Sequence, residues 1–298
     1  MNALALPPDF EARVRKDEPM ARHTSWHVGG PADVFFTPND ADDLAQFIRG
    51  LDTDTPLLWI GLGSNLLVRD GGIRGVVIDT HGVFDDLERI GDDEVRCGSG
   101  VACAKLAKQC VKWGLGPAEF FAGIPGTLGG ALAMNAGAFG GETWRHVISV
   151  ETLDRAGVRR VRPAADYSIG YRHVQGPANE WFLGARLRFE PRPSVSNDDI
   201  RVLLARRKAT QPIGEWSCGS VFTNPPGDHA ARLIDSCGLK GFRIGGARVS
   251  EMHANFIVND GTASAADIEQ LIAHVMRTVK ERHGVELKPE VRVVGEEK

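Results

Sequence analysis

The chain has 298 residues, of which 42% are hydrophobic and 25% charged, with a formal net charge of −4 at neutral pH. That size leaves room for two or three domains, and the acidic balance, with no basic run interleaved with aromatics, excludes the electrostatic footprint of a nucleic-acid binder. The N-terminal segment lacks a continuous apolar core and no apolar run reaches membrane-spanning length, so no membrane association and a cytoplasmic location are expected.

The first 20 residues are polar and proline-containing and are expected to form a partly disordered extension. Pro56-Leu-Leu-Trp-Ile60 reads as a buried strand, and it runs directly into Gly61-Leu-Gly-Ser-Asn-Leu-Leu-Val-Arg-Asp-Gly-Gly72. This arrangement mimics a dinucleotide fingerprint, down to an acidic residue, Asp79, closing the next strand-like run. The stretch from Asn65 to Gly75 leaves no room for the crossover helix such a fingerprint needs, so a Rossmann unit is rejected and a phosphate cradle retained. Backbone N–H groups of Gly61, Gly63, Ser64 and Asn65 are its candidate donors.

Ala102–Trp113 carries Leu106, Cys110 and Trp113 on one helical face, with Gly114 placed to end the helix. A second glycine-rich run follows at Glu119–Gly141, where glycines and alanines surround the lone Asn135. Residues without bulky side chains let backbone approach a ligand closely, and two such runs in one chain favour a large phosphate-bearing cofactor over tight packing alone. Beyond it, Val147–Leu153 and Trp181–Phe189 read as strands. The Pro-, Ser- and Asp-rich stretch Glu190–Asp199 marks a domain boundary. Helices are expected at Ile200–Lys208, at Gly227–Cys237, and after Ser264, whose partner Asp267 makes a capping box ahead of the stripe Ile268, Leu271, Ile272, Val275 and Val279. Gly284 closes that helix and Val285–Val294 returns as a strand. The five cysteines show no CxxC spacing and are read as free thiols in a reducing compartment; the nine histidines show no ligand spacing, so no metal is expected.

The motifs His23-Thr-Ser-Trp-His-Val-Gly-Gly-Pro-Ala32, Gly61-Leu-Gly-Ser-Asn65, Gly123-Ile-Pro-Gly-Thr-Leu-Gly-Gly130 with Met134-Asn-Ala-Gly137, Tyr171-Arg172, Cys218-Gly-Ser-Val-Phe-Thr-Asn224, Gly238-Leu-Lys-Gly241 and Pro289-Glu-Val-Arg292 stand in one order along the chain. In that order they resemble the UDP-N-acetylenolpyruvoylglucosamine reductases (MurB), flavoenzymes of bacterial cell-wall synthesis. The resemblance spans nearly the whole chain. It implies an α+β fold: an FAD-binding domain of the p-cresol methylhydroxylase/vanillyl-alcohol-oxidase type over 21–190, in two α+β subdomains of about 21–85 and 86–190, and an α+β substrate-binding domain over 200–298 whose last strand packs back toward the FAD domain. It also implies non-covalent FAD, NADPH as hydride donor, a UDP-N-acetylglucosamine enolpyruvyl ether as substrate, and UDP-N-acetylmuramate as product. The short stretch between Arg172 and Ser220 resembles the subgroup lacking a longer insertion after the Tyr-Arg motif. A monomer is the expected state.

The residues implied for FAD are Gly61, Gly63, Ser64, Asn65, Ile124, Pro125, Gly126, Thr127, Gly129, Gly130, Asn135, Ala136 and Gly137. Those implied for the nucleotide sugar are Tyr171, Arg206, Asn224, Lys240, His253 and Arg277, with Thr210 standing where some relatives carry a lysine. Arg172, Ser220 and Glu290 are implied as catalytic. Hydride addition at C3 of the enolpyruvyl group leaves a strongly basic carbanion at C2, which a well-held serine hydroxyl is acidic enough to quench, and Ser220 matches the family's proton donor. A cation aimed at the substrate carboxylate is worth most in a poorly hydrated site, and Arg172 fits that part. Glu290 either pairs with Arg172 and orients it, or acts as a neutral donor with a raised pKa. Without the motifs, each is an ordinary residue: a turn serine, a solvated arginine and an edge-strand glutamate.

Other readings fare worse. No P-loop or nucleophile elbow is present. An FAD-dependent alcohol or sugar oxidase of the same fold remains the enzymatic alternative, and a non-catalytic flavin-binding protein the other; flavin bleaching by NADPH with substrate-dependent recovery separates both from a reductase.

Overall fold

Asp40 opens the first helix of the chain in a computed structural model that describes residues 6–298: its Oδ1 accepts from the N–H groups of Asp42 and Asp43 at 2.9 and 2.8 Å, and α1 (Ala41–Arg49) follows. The chain divides into two units, one holding Val34–Gly61 and Gly75–Arg206 together with the described part of the first fifteen residues, the other holding Lys16–Asp33, Leu62–Arg74 and Arg207–Lys298.

In the first unit, α1 buries Leu44, Ala45, Phe47 and Ile48. Phe47 stacks on Phe36 with ring centroids 3.9 Å apart, and Phe10 meets both rings edge-on. Phe10 thus anchors the N-terminal segment, which forms a 3-10 turn at Pro8–Phe10 where partial disorder was expected; residues 1–5 of that extension lie outside the described residues. The strand Leu57–Ile60 pairs in parallel with Ile73–Asp79, Leu57 opposite Val76 and Ile60 opposite Asp79. No crossover helix lies between them, as the glycine spacing requires.

A five-stranded antiparallel sheet runs in the order Arg159–Pro163, Val147–Asp154, Glu180–Arg188, Glu94–Gly98, Leu87–Ile90. Its core is shared with α2 (Cys103–Lys112) and α3 (Leu128–Met134), through Leu106, Cys110, Leu128 and Leu132. Cys97, Cys103 and Cys110 lie in that core, and burial pushes the thiols of Cys103 and Cys110 up to about 12. The next helix, α4 (Asn197–Thr210), is longer than expected at both ends and buries only Ile200.

The second unit is organised by α5 (Ala230–Ser236), α6 (Ala265–His283) and a three-stranded antiparallel sheet of Arg243–Ile244, Ala247–Val249 and Ile257–Asn259. The apolar stripe of α6 is buried as its spacing dictates, and Ser264 and Asp267 close a reciprocal capping box. Of the strand expected over Val285–Val294 only Arg292–Val294 forms, paired in parallel with Leu66–Val68.

The units depart from a linear division near residue 190, because Lys16–Asp33 and Leu62–Arg74 belong with the C-terminal part. Bonds between residues far apart in sequence explain the grouping. Asp70 accepts from the N–H groups of Ala265 and Ala266, both at 3.0 Å, adding a second cap to α6. Arg69 makes a bidentate pair with Glu269. Trp26 is fully buried and donates its indole N–H to the Ile257 carbonyl at 2.8 Å, while Asn259 donates to the Trp26 carbonyl at 2.7 Å. Among the described residues, no helix is long and apolar enough to cross a membrane.

Candidate functional site

In the first unit the two glycine-rich runs meet. A Cβ at Gly61 would lie 2.5 Å from Thr127 Oγ1, so only glycine lets the end of the Leu57–Ile60 strand rest against the start of α3. Gly129 rests on Ser99, where a Cβ would come within 3.1 Å, while the corresponding position at Gly130 faces open space. The backbone donors here are partly committed: Gly129 N–H bonds to Ser99 O (2.8 Å), Leu128 N–H to Val101 O (2.9 Å) and Gly126 N–H to Ile124 O (3.0 Å). The Gly126 N–H thus closes a tight turn, and Gly129 contributes close approach to Ser99. Ile124 is buried and Pro125 exposed beside them.

Four buried polar atoms of this unit, Ser99 Oγ, Trp59 Nε1, Glu119 Oε2 and Tyr167 OH, have no hydrogen-bond partner among the described residues. Ser99 directly underlies Gly129. Open space at Gly130, glycine-only packing at Gly61 and an orphaned hydroxyl in the same place fit a polar group such as the phosphate-bearing part of FAD.

Asn135 is 1% exposed and stands at the C-cap of α3 in the left-handed conformation, φ 47°. Its Oδ1 accepts from Trp144 N–H at 3.1 Å and its Nδ2 donates to Gly170 O at 3.0 Å. The loop it holds leads straight to Tyr171 and Arg172. Arg172, itself at φ 53°, returns two donors to the same helix end, Nη1 to Asn135 O (3.2 Å) and Nη2 to Gly137 O (2.8 Å). Its guanidinium also lies over the half-exposed Tyr171 ring, 5.1 Å from the centroid. Ala136 is fastened by Thr143, whose N–H and hydroxyl both donate to its carbonyl. Asn135, Ala136 and Gly137, expected at the cofactor, thus form the seat of Arg172.

In the second unit, Gly63 must be glycine: it has φ 59°, and a Cβ would lie 1.9 Å from His23 O. Ser64 sits in the turn that follows. Asn65 Nδ2 donates to Glu290 O at 3.0 Å, and Arg292 N–H returns a bond to Asn65 O at 3.1 Å. Glu290 N–H bonds to Val221 O at 2.7 Å and Thr223 N–H to Lys288 O at 3.0 Å, so the backbones bearing Ser220 and Glu290 are joined by hydrogen bonds. The thiol of Cys218, buried beside them, is pushed well up by burial and further by the Glu290 carboxylate.

The sugar-nucleotide candidates are spread more widely. Asn224 Oδ1 caps the approach to α5 by accepting from Ala230 N–H (3.1 Å), and Lys240 pairs with Asp235 at 2.9 Å. His253 Nδ1 accepts from Asn255 N–H at 3.3 Å; burial, with Lys240 adding a smaller effect, holds its imidazole below the usual range. Arg277 lies on α6 against His274, 3.1 Å away, and His274 stacks on Phe242. Arg206 is exposed on α4 in the first unit, as is Thr210 on the last turn in the second. Arg207, beside Arg206, is the half-buried one: burial lowers its pKa, and Nε donates to Gln211 Oε1 at 2.8 Å. The arginine and glutamine four apart were the available signal.

The chain matches two family profiles, one for an FAD-binding domain over residues 32–161 and one for the C-terminal domain of UDP-N-acetylenolpyruvoylglucosamine reductase over residues 211–294. It is 59% identical over 284 residues to the UDP-N-acetylenolpyruvoylglucosamine reductase of Alkalilimnicola ehrlichii, covering 95% of each chain. To that of Methylococcus capsulatus it is 57% identical, covering 94% of this chain and 92% of the relative. The crystal structure of the reductase from Thermus caldophilus superposes with a TM-score of 0.79 at 33% identity, over 97% of this chain and 99% of the other.

Proposed function

Because the chain belongs to the UDP-N-acetylenolpyruvoylglucosamine reductase family, with an FAD-binding domain ahead of the family's C-terminal domain, we propose that Arg172, Ser220 and Glu290 carry its reaction, converting the enolpyruvyl ether of UDP-N-acetylglucosamine into UDP-N-acetylmuramate. FAD held by the glycine-rich runs would supply the hydride that C3 of the enolpyruvyl group needs, with NADPH as its source.

Ser220 gives the proton to C2. Its hydroxyl has no hydrogen-bond partner among the described residues, while the backbone on its C-terminal side is fixed. Arg172 serves the substrate carboxylate: two carbonyls at the end of α3 orient the guanidinium, so little rearrangement is needed as charge builds up during hydride transfer. Glu290 acts beside Ser220, either orienting Arg172 or relaying the proton as a neutral acid. Lys240, Asn224, His253, Arg277 and the neighbouring Arg206 and Arg207 are the charged and amide groups offered to the diphosphate and sugar. The observation that carries this reading is the Val221 carbonyl accepting from Glu290 N–H, which puts the proposed proton donor and acid on one hydrogen-bonded frame.

The test is anaerobic stopped-flow absorbance of the FAD-loaded protein. NADPH is expected to bleach the flavin, and UDP-N-acetylenolpyruvoylglucosamine to restore it. Bleaching that recovers only with oxygen would instead make the protein an oxidase of the same fold.

A further inference from the structure

Asn255 is 4% exposed and surrounded by apolar neighbours, including Val221, Phe222 and Ile257, an expensive place for an amide unless every polar atom is used. Its side-chain amide and its carbonyl are used on one segment. Oδ1 accepts from Phe222 N–H at 3.0 Å, Nδ2 donates to Phe222 O at 2.8 Å, and the Asn255 carbonyl accepts from Val221 N–H at 2.9 Å. The side-chain amide thus does for Phe222 what a neighbouring strand's peptide group would do.

The opposite side of the same segment is held by the irregular stretch leading to Glu290. Glu290 N–H reaches Val221 O at 2.7 Å, Thr223 N–H reaches Lys288 O at 3.0 Å, and Phe222 bridges to Pro289. Asn65 then fixes Glu290 from behind. Ser220 follows Gly219, whose φ of 83° is the left-handed conformation that favours glycine, and Cys218 before it is buried in the core. On its C-terminal side the serine is held through the bonded Val221–Phe222 segment.

We propose that Asn255 is a positioning residue for the proton-transfer step: by clamping Val221 and Phe222 it holds the Ser220 hydroxyl in register with Glu290. This rests on the assignment of Ser220 as proton donor. Cutting the side chain to alanine leaves Phe222 N–H and C=O without partners in an apolar core and lets the Ser220 segment shift. A displacement of about 1 Å of a reacting group is worth roughly 10²-fold in rate.

The experiment compares wild type with Asn255→Ala and Asn255→Ser, both FAD-loaded, in the two half-reactions followed separately in H2O and D2O. Bleaching by NADPH, which needs no proton from Ser220, is expected to stay within about 3-fold of wild type. Recovery on the enolpyruvyl sugar is expected to slow by about 10²-fold with a larger solvent isotope effect, as proton transfer becomes more rate-limiting. Equal slowing of both half-reactions, or unchanged recovery with an unchanged isotope effect, overturns the role of Asn255. Wild type that does not recover on the enolpyruvyl sugar overturns the reaction itself, and this role with it. Hydrogen exchange of wild-type holoenzyme gives a reading that needs no variant to fold: slow exchange of the Val221 and Phe222 amides is expected, and loop-like rates would remove the clamp.

Discussion

Single residues here are decided by what their neighbours leave them. Arg172 spends two donors on the carbonyls of Asn135 and Gly137, which only a planar, multi-donor cation does while still presenting charge. Arg172→Lys keeps the charge and loses the fork. Its kcat/KM for the enolpyruvyl sugar is expected to fall by about 10²-fold or more, with bleaching by NADPH nearly unchanged, and stopped-flow separates the two. Gly61 is constrained by space: Gly61→Ala puts a methyl group 2.5 Å from the hydroxyl of Thr127, which is 2% exposed. Overpacking of that kind costs about 1–3 kcal/mol, so FAD affinity, read by flavin fluorescence in a titration of apoprotein, is expected to drop about 5- to 150-fold. Adding Thr127→Ala should recover part of that loss; if it does not, the contact is not the cause. Sequence motifs marked Gly61, Asn65 and Asn135 as one cofactor set, and within the protein Asn65 bonds the Glu290 backbone while Asn135 seats Arg172. A motif reports which residues matter and is silent on which partner each holds, because the partners lie far away in sequence.

Among the elements, α3 is seven residues long and is ended by a non-glycine left-handed residue, Asn135. Asn is the residue other than glycine that most readily adopts this conformation, and here its amide is also used twice. Asn135→Gly is expected to retain the backbone and lose the two side-chain bonds, costing about 1–3 kcal/mol for the buried groups left unpaired. Asn135→Ala adds the left-handed penalty of about 1–2 kcal/mol. Urea unfolding of the two variants gives that difference directly, and equal midpoints would mean α3 ends differently without Asn135. Helices with strong periodicity or caps were legible: α6, with its capping box and buried stripe, needs nothing beyond its own sequence. The strand Arg292–Val294 was legible only as part of a longer run, since Val285–Glu290 is held by irregular bonds to Val221 and Thr223 and not by a ladder.

For the whole molecule, the linear boundary near Pro191 was read from composition, whereas the units are set by long-range bonds: the capping of α6 by Asp70, the pairing of Arg69 with Glu269 and the parallel pairing of Leu66–Val68. A charged Arg-Asp pair inside a glycine-rich turn carries no local sign that its partners lie two hundred residues on. The same distribution of bonds sets the response to acid. His146 lies between Phe120 and Phe189, and burial lowers its pKa, with Arg145 acting in the same direction and Arg188 O, Glu190 and Glu119 opposing. His253 is lowered likewise, by burial first. For both, the unfolded chain binds a proton that the folded protein resists, so their contribution is complete above the unfolded value of about 6.5 and is lost as pH falls toward the depressed folded value. Asp43, held low by its hydrogen bond to Arg13, adds a second loss only below about pH 4. The melting temperature of the holoenzyme is therefore expected to fall between pH 7.5 and 5.5, ahead of any carboxylate titration. His146→Phe keeps the ring stack and removes one titrating group, so its fall over that interval should be smaller than that of wild type. An equal fall in the two proteins would assign the acid sensitivity elsewhere, with His253 and its bond to Asn255 N–H the next group to replace.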